Sequence, residues 1–283
     1  MSQPPVLKAA AAAADKLDEL RAATTGVELT AHARRRLISA ISAMQNQIDA
    51  IGRSVDEIGL PDAFFDPTDP RLVGYFVALA LVAQERKPLA SIGRFYGSGV
   101  YAIYYVGDEE LYRPISKTET PIYVGKADPD GQPKTVIDQG TKLADRLNEH
   151  SKNIDKVEGI NLRDFECRAL AVQSGYQASA ESHLIKLFRP VWNNETKILF
   201  GIGKHGDSSK TRANNKSPWD TIHPGRAWAT ENREAKSVVA IKEDVAAHFT
   251  TARLYHTTND VFAAFVAAIR SEDRIEPSDG DMK

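Results

Sequence analysis

With 283 residues, 42% of them hydrophobic and 26% charged, the chain has enough apolar material for a sizeable core and too little bias for a disordered or fibrous protein. A formal net charge of −2 argues, on average, against a nucleic-acid partner. The single cysteine, Cys167, excludes an intramolecular disulfide and a cysteine-based zinc cluster, so a reducing, cytoplasmic setting is expected.

The charge is unevenly spread. Residues 1–85 hold 8 Lys and Arg against 11 Asp and Glu, residues 86–230 hold 21 against 17, and residues 231–283 hold 7 against 10. A basic middle between acidic ends suits a polyanion held in one place.

The chain opens with one early lysine and the run Ala9 to Ala14, followed at once by Asp15 and Lys16, which is too weakly apolar for a signal peptide. Leu17 and Leu20, then Leu37, Ile41, Met44, Ile48 and Ile51, recur at spacings of three and four. Helices over 6–23 and 30–52 are predicted, the second capped near Thr30 with Arg34, Arg35 and Arg36 in its first turns. Pro61, Pro67 and Pro70 punctuate a linker. Leu72 to Ala83 is the longest apolar run, 12 residues: a short buried helix, too short to span a bilayer. Residues 1–90 read as a helical arm without chemistry, packed on or between copies of a main domain over 91–230; residues 231–283 form a helical segment with an acidic tail.

The main domain begins with two strand-like stretches, Gly99-Val100-Tyr101-Ala102-Ile103-Tyr104-Tyr105 and Pro121-Ile122-Tyr123-Val124-Gly125-Lys126, joined by a long charged connection. Alternation puts Tyr101 and Ile103 on one face, so Tyr101 and Tyr123 can stand as two neighbouring phenols. Such a pair is either cross-strand packing or a site, since a phenol becomes a useful base only beside a cation or a second base. Thr141 heads a helix with Leu143 and Leu147 on one face and Arg146 and His150, four apart, on another; a fork-shaped cation beside an imidazole can grip and activate around a phosphate. Residues 165–173 read as a third strand and Ala178 to Phe188 as a helix ended by Pro190. Glu181 lies three, four and seven residues before Leu184, Ile185 and Phe188, on the buried stripe. A buried carboxylate needs a cation, either an ion-pair partner such as Arg146 or a magnesium ion. Asn193 follows in Val191-Trp192-Asn193.

Gly201-Ile202-Gly203-Lys204-His205-Gly206 spells a dinucleotide fingerprint, but no amphipathic helix follows, so it reads as a glycine-rich basic loop able to approach a nucleic-acid backbone. His183, His205 and His223 lack metal-ligand spacing. The segment Pro218 to Trp228 is turn-rich and aromatic, either a packing corner or a substrate-contacting loop, and 240–270 looks helical before an acidic tail.

In this order, Gly99-Val100-Tyr101, Tyr123-Val124-Gly125-Lys126, Arg146 with His150, Glu181 and Asn193 resemble the signature of the GIY-YIG nuclease superfamily. The phrases Arg-Leu-Asn-Glu-His, Pro-Val-Trp-Asn and Trp-Asp-Thr-Ile-His-Pro-Gly-Arg-Ala-Trp-Ala are similar to those of the type II restriction endonuclease Eco29kI family, over roughly residues 95–230. The resemblance implies an α+β fold with a three-stranded antiparallel sheet flanked by helices and an added N-terminal arm. It implies a Mg²⁺-dependent endodeoxyribonuclease, a homodimer or higher homo-oligomer that cuts both strands of palindromic double-stranded DNA to leave 5′-phosphate and 3′-hydroxyl ends. The expected target is CCGCGG, and a cognate methyltransferase would act on the same site. Tyr101, assisted by His150, would activate water; Arg146 would neutralise the scissile phosphate; Tyr123 would hydrogen-bond phosphate or water. Glu181 would hold the metal and Asn193 would prop the site. Lys126, Lys204, Lys210, Arg212, Lys216 and Arg226 are candidate DNA contacts. The alternatives are a repair or homing nuclease of the same core, and a catalytically silent DNA-binding protein.

Overall fold

The computed structural model describes residues 4–27, 29–55, 70–173, 175–203, 216–230, 232–234 and 236–272. The chain divides into two compact units at residues 62 and 63. The first holds α1 (Pro5–Thr24) and α2 (Ala31–Val55), neither of which buries a residue. Thr30 Oγ1 accepts from Ala33 N at 3.2 Å, the cap expected for α2. Ile38, Ile48, Ile51 and Val55 of α2 are exposed.

The second unit is built on a four-stranded antiparallel sheet in the order β1 (Lys87–Pro88), β4 (Phe165–Ala171), β2 (Gly99–Tyr105), β3 (Tyr123–Ala127). The resemblance predicted three strands; the fourth is the two-residue β1, whose Lys-Pro sequence carries no strand pattern and which exists only by pairing with Glu166 and Cys167. Every residue of β2 is buried, because it lies inside the sheet and both faces are covered. Tyr101, Ile103, Tyr105, Phe165 and Cys167 pack on one face against Leu143, Leu147 and Ile154 of α4 (Lys142–Asp155) and against Trp192, Trp219 and Ile202. Val100, Ala102, Tyr104 and Val124 pack on the other against α3 (Pro70–Val82), α5 (Gln177–Phe188) and α8 (Thr258–Glu272).

Several expectations shift in detail. Helix α3, assigned from sequence to the arm, packs on α5 within the sheet's unit, because Tyr75, Ala78 and Leu81 need that face for burial. The connection between β2 and β3 is not plain loop but contains a 3₁₀ segment, Glu110–Ile115, that buries Tyr112 and Ile115. Thr141 precedes α4 without capping it: its hydroxyl donates to Asp145 Oδ2 at 2.7 Å, and Leu143 N is satisfied by Gly97 O instead. The predicted helix over 240–270 is two, α7 (Val238–Thr251) and α8, with Thr120 Oγ1 accepting from Tyr255 N in the break between them. The segment Pro218 to Trp228 is a packing corner that starts with the five-residue α6 (Pro218–Ile222), N-capped by Ser217. Among the described residues no helix is long and apolar enough to cross a membrane.

Candidate active site

The site is assembled at one end of the sheet, where β2, β3 and α4 meet. Tyr101 pairs with Gly125 across the β2–β3 ladder, and Tyr123 sits two residues along on the same face. A Cβ at Gly125 would come 2.4 Å from the Tyr101 Oη and 3.0 Å from Tyr123 Cε1, so only glycine lets the Tyr101 ring lie across the β3 backbone. The two tyrosine rings are 6.1 Å apart. His150, wholly buried on α4, stands 4.9 Å from the Tyr123 ring, and its Nε2 is 2.7 Å from the Tyr101 Oη.

Burial pushes the Tyr101 phenol well above its ordinary value, and Tyr123 adds to this while the charge and hydrogen bond of Arg146 oppose it. Burial likewise raises Tyr123, opposed by Arg146 and reinforced by the Glu181 carboxylate. Burial disfavours the charge on Arg146, but Tyr101 and the Glu149 carboxylate at 2.5 Å more than reverse this, so the guanidinium stays charged. Arg146 is therefore partnered by Glu149 rather than Glu181, one turn further along its own helix.

Glu181 and Asn193 meet the site from the outer edge of β3. That strand ends the sheet, so alternate N–H and C=O groups point outward unpaired by another strand. Asn193, buried, fills one such pair: its Oδ1 accepts from Val124 N at 2.9 Å and its Nδ2 donates to Val124 O at 2.8 Å. The Glu181 carboxylate lies near the next outward amide, that of Lys126, which helps to hold its charge. It is half-buried at this rim, not sunk in the apolar stripe of α5 as the spacing suggested. Desolvation raises its pKa to about 7; Lys126 opposes this, and Glu195 and Asp128 reinforce it. Lys126 is tied to Asp128, and Asp128 Oδ1 accepts from Gln177 Nε2 at 3.1 Å.

A family model described as the Eco29kI GIY-YIG domain matches residues 93–249, more than half of the chain. The chain belongs to the Eco29kI GIY-YIG family. It is an endonuclease acting on DNA, of a restriction-type nuclease family. No curated protein matches it.

In this Eco29kI-family endonuclease the six residues singled out for chemistry thus converge: Tyr101, Tyr123, Arg146 and His150 on one face, with Glu181 and Asn193 around the edge of β3. The candidate DNA contacts fare differently. Lys126 and Lys216 are half-buried, the first of them beside Glu181. Lys204, Lys210 and Arg212 lie outside the described residues. Arg226 is not a DNA contact: it is buried, with Nε donating to Asp220 Oδ1 at 2.7 Å, Nη1 to Ile202 O at 2.9 Å and Nη2 to Gly201 O at 2.8 Å. All its nitrogens face inward, and its work is to hold the glycine loop. Sequence reasoning missed Glu149, whose i,i+3 spacing from Arg146 was the available signal, and Trp192, Asn194 and Phe200; it read Gly201 to Gly203 as a loop able to approach a nucleic-acid backbone but did not place it beside Arg146. With Tyr123 and Arg146, the residues Trp192, Asn194, Phe200 and Gly201 to Gly203 line a cleft of about 390 Å³.

Among the described residues no three or more His, Cys, Asp and Glu side chains cluster as metal ligands. Glu181 nevertheless fits a magnesium site as a single carboxylate ligand: it is half-buried at the rim, burial raises its pKa to about 7, and the neighbouring Lys126 is already tied to Asp128. Mg²⁺ is commonly held by one protein carboxylate, with water and substrate phosphate completing its shell.

Proposed function

We propose that the protein is a type II restriction endonuclease that makes Mg²⁺-dependent double-strand cuts in palindromic DNA, as a homodimer, leaving 5′-phosphate and 3′-hydroxyl ends. The observation that carries the reading is the 2.7 Å contact between Tyr101 Oη and His150 Nε2 beside a charged Arg146. Tyr101, held far above neutral pKa by burial, is a poor base alone. Paired with an imidazole acceptor it relays: its oxygen takes a proton from the attacking water as its own proton passes to His150 Nε2. Arg146 meets the non-bridging oxygens of the scissile phosphate, whose charge grows as the water attacks. Tyr123 donates to the same phosphate. Glu181 would hold Mg²⁺, which when bound would supply Lewis-acid stabilisation of the leaving group's charge. Asn193 fixes the β3 edge from which Tyr123 projects. The recognition sequence taken with this reading is CCGCGG, which rests on the family resemblance alone.

Incubation of plasmid DNA with the purified protein and Mg²⁺, followed by sequencing of the ends, tests the reading directly. Paired cuts at a palindrome support it; single-strand nicks at long asymmetric sites would favour a homing or repair nuclease. Tyr101→Phe and Glu181→Gln are expected to lower the cleavage rate by about 10²-fold or more while duplex binding in a gel-shift assay stays near wild type. Full cleavage by either variant would overturn the assignment of that residue.

A further inference from the structure

Three carbonyls in a row, those of Phe200, Gly201 and Ile202, are held by protein donors. Trp219 N donates to Phe200 O at 3.2 Å, Arg226 Nη2 to Gly201 O, and Arg226 Nη1 and Asn153 Nδ2 to Ile202 O, the last at 3.1 Å. In a trans peptide the N–H points opposite to the C=O of the same plane, and the chain has no cis peptide among the described residues. The amides of Gly201, Ile202 and Gly203 are therefore turned away from those donors, and among the described residues none of the three donates to a protein acceptor. The turn between the Phe200 and Gly201 carbonyls is made at Gly201 with φ +123°, a conformation open to glycine; a Cβ there would come 2.2 Å from Ser217 Oγ.

These residues line the cleft that Tyr123 and Arg146 share. The Ile202 side chain is in the core and the glycines have none, so what the segment presents to the cleft is backbone. A Cβ on Gly203 would stand 3.2 Å from Arg146 Nη2, which puts the Gly203 end of the segment beside the guanidinium. Consecutive amides aimed into one concavity bind an anionic oxygen.

We propose that the amides of Gly201, Ile202 and Gly203 form a nest for a backbone phosphate oxygen of the DNA, next to the phosphate that Arg146 meets. Arg226, through Asp220, is the positioning residue that aims it. The proposal rests on the nuclease reading and adds a neutral phosphate site that a survey of Lys and Arg overlooks. Its signature follows from that neutrality. Losing a Lys or Arg contact weakens binding and flattens its salt dependence, whereas losing an amide contact weakens binding with the salt slope unchanged.

The test uses the full-length protein, without metal, and a duplex carrying its own cleavage site. Replacing Gly203 by glycolic acid turns the N–H into an ester oxygen. Affinity by fluorescence anisotropy is expected to fall roughly 10-fold with the slope of log K against log salt unchanged. Among duplexes bearing one methylphosphonate each, the position that weakens wild-type binding is expected to make no difference to the ester variant. Arg226→Lys keeps the charge opposite Asp220 but not the two-pronged grip on the carbonyls, and guards against misfolding of the ester protein by giving the same pattern. Wild-type affinity in both variants, or a loss accompanied by a flatter salt slope, overturns the nest. A wild-type protein that cleaves DNA while showing either result sinks the nest alone; one that cleaves no DNA sinks the nuclease reading.

Discussion

At the residue scale, Asn193 shows how one side chain can stand in for a strand. Its carboxamide occupies both outward groups of Val124, a bidentate pairing that no other side chain of its length makes with backbone. Asn193→Ala leaves a buried donor and a buried acceptor unpaired, and is expected to cost about 2–4 kcal/mol in urea unfolding as well as cleavage. Asn193→Asp keeps the acceptor and loses the donor, so it should fall between. The four residues on the sheet face were legible because their spacing is intrinsic to the elements: period two places Tyr101, and an i,i+4 step joins Arg146 to His150. Arg226 was misread because a basic side chain in a glycine- and proline-rich stretch carries no local mark of burial. Its partner Asp220, six positions earlier, pairs with it only once α6 and the turn after it have formed. The Arg226–Asp220 pair is made by tertiary folding, which periodicity does not see.

At the scale of elements, the meeting of β2 and β3 depends on the absence of one methyl group. Gly125→Ala puts a carbon 2.4 Å from the Tyr101 Oη, against strand backbone on one side and His150 on the other. We expect the variant to keep its fold by circular dichroism, to bind DNA, and to lose most of its cleavage rate, since a displacement of about 1 Å at a catalytic group costs on the order of 10²-fold. The strands and α4 were readable from hydrophobic pattern and punctuation. Strand β1 was not, since Lys87-Pro88 becomes a strand only by lying beside β4. The glycine fingerprint at 201–206 was legible as a loop, but its orientation was not, because donors far along the chain turn its carbonyls.

At the scale of the molecule, both faces of the sheet are buried, and the α4 face also encloses polar groups. His223 lies there between Trp192 and Trp219, with Nε2 2.5 Å from the Tyr112 Oη, and burial lowers its pKa to about 4. The unfolded chain takes up this proton near pH 6.5 and the folded chain only near 4, so the stability His223 contributes is complete above pH 6.5 and is lost as pH falls through 4, by up to about 3 kcal/mol. Thermal melts from pH 7 to pH 4 should show this loss, and His223→Gln should flatten it although its melting temperature at pH 7 is lower. An equal slope in both proteins would show that another group governs acid sensitivity.

The occupied rim of β3 has a consequence for assembly. An uncovered outer strand is where sheets recruit further strands, from a second molecule or a stray peptide. Here the carboxamide of Asn193 and the carboxylate of Glu181 already sit on that rim. Two copies therefore cannot fuse their sheets across it without displacing Asn193 and Glu181, so a second copy of this chain would have to join through some other surface.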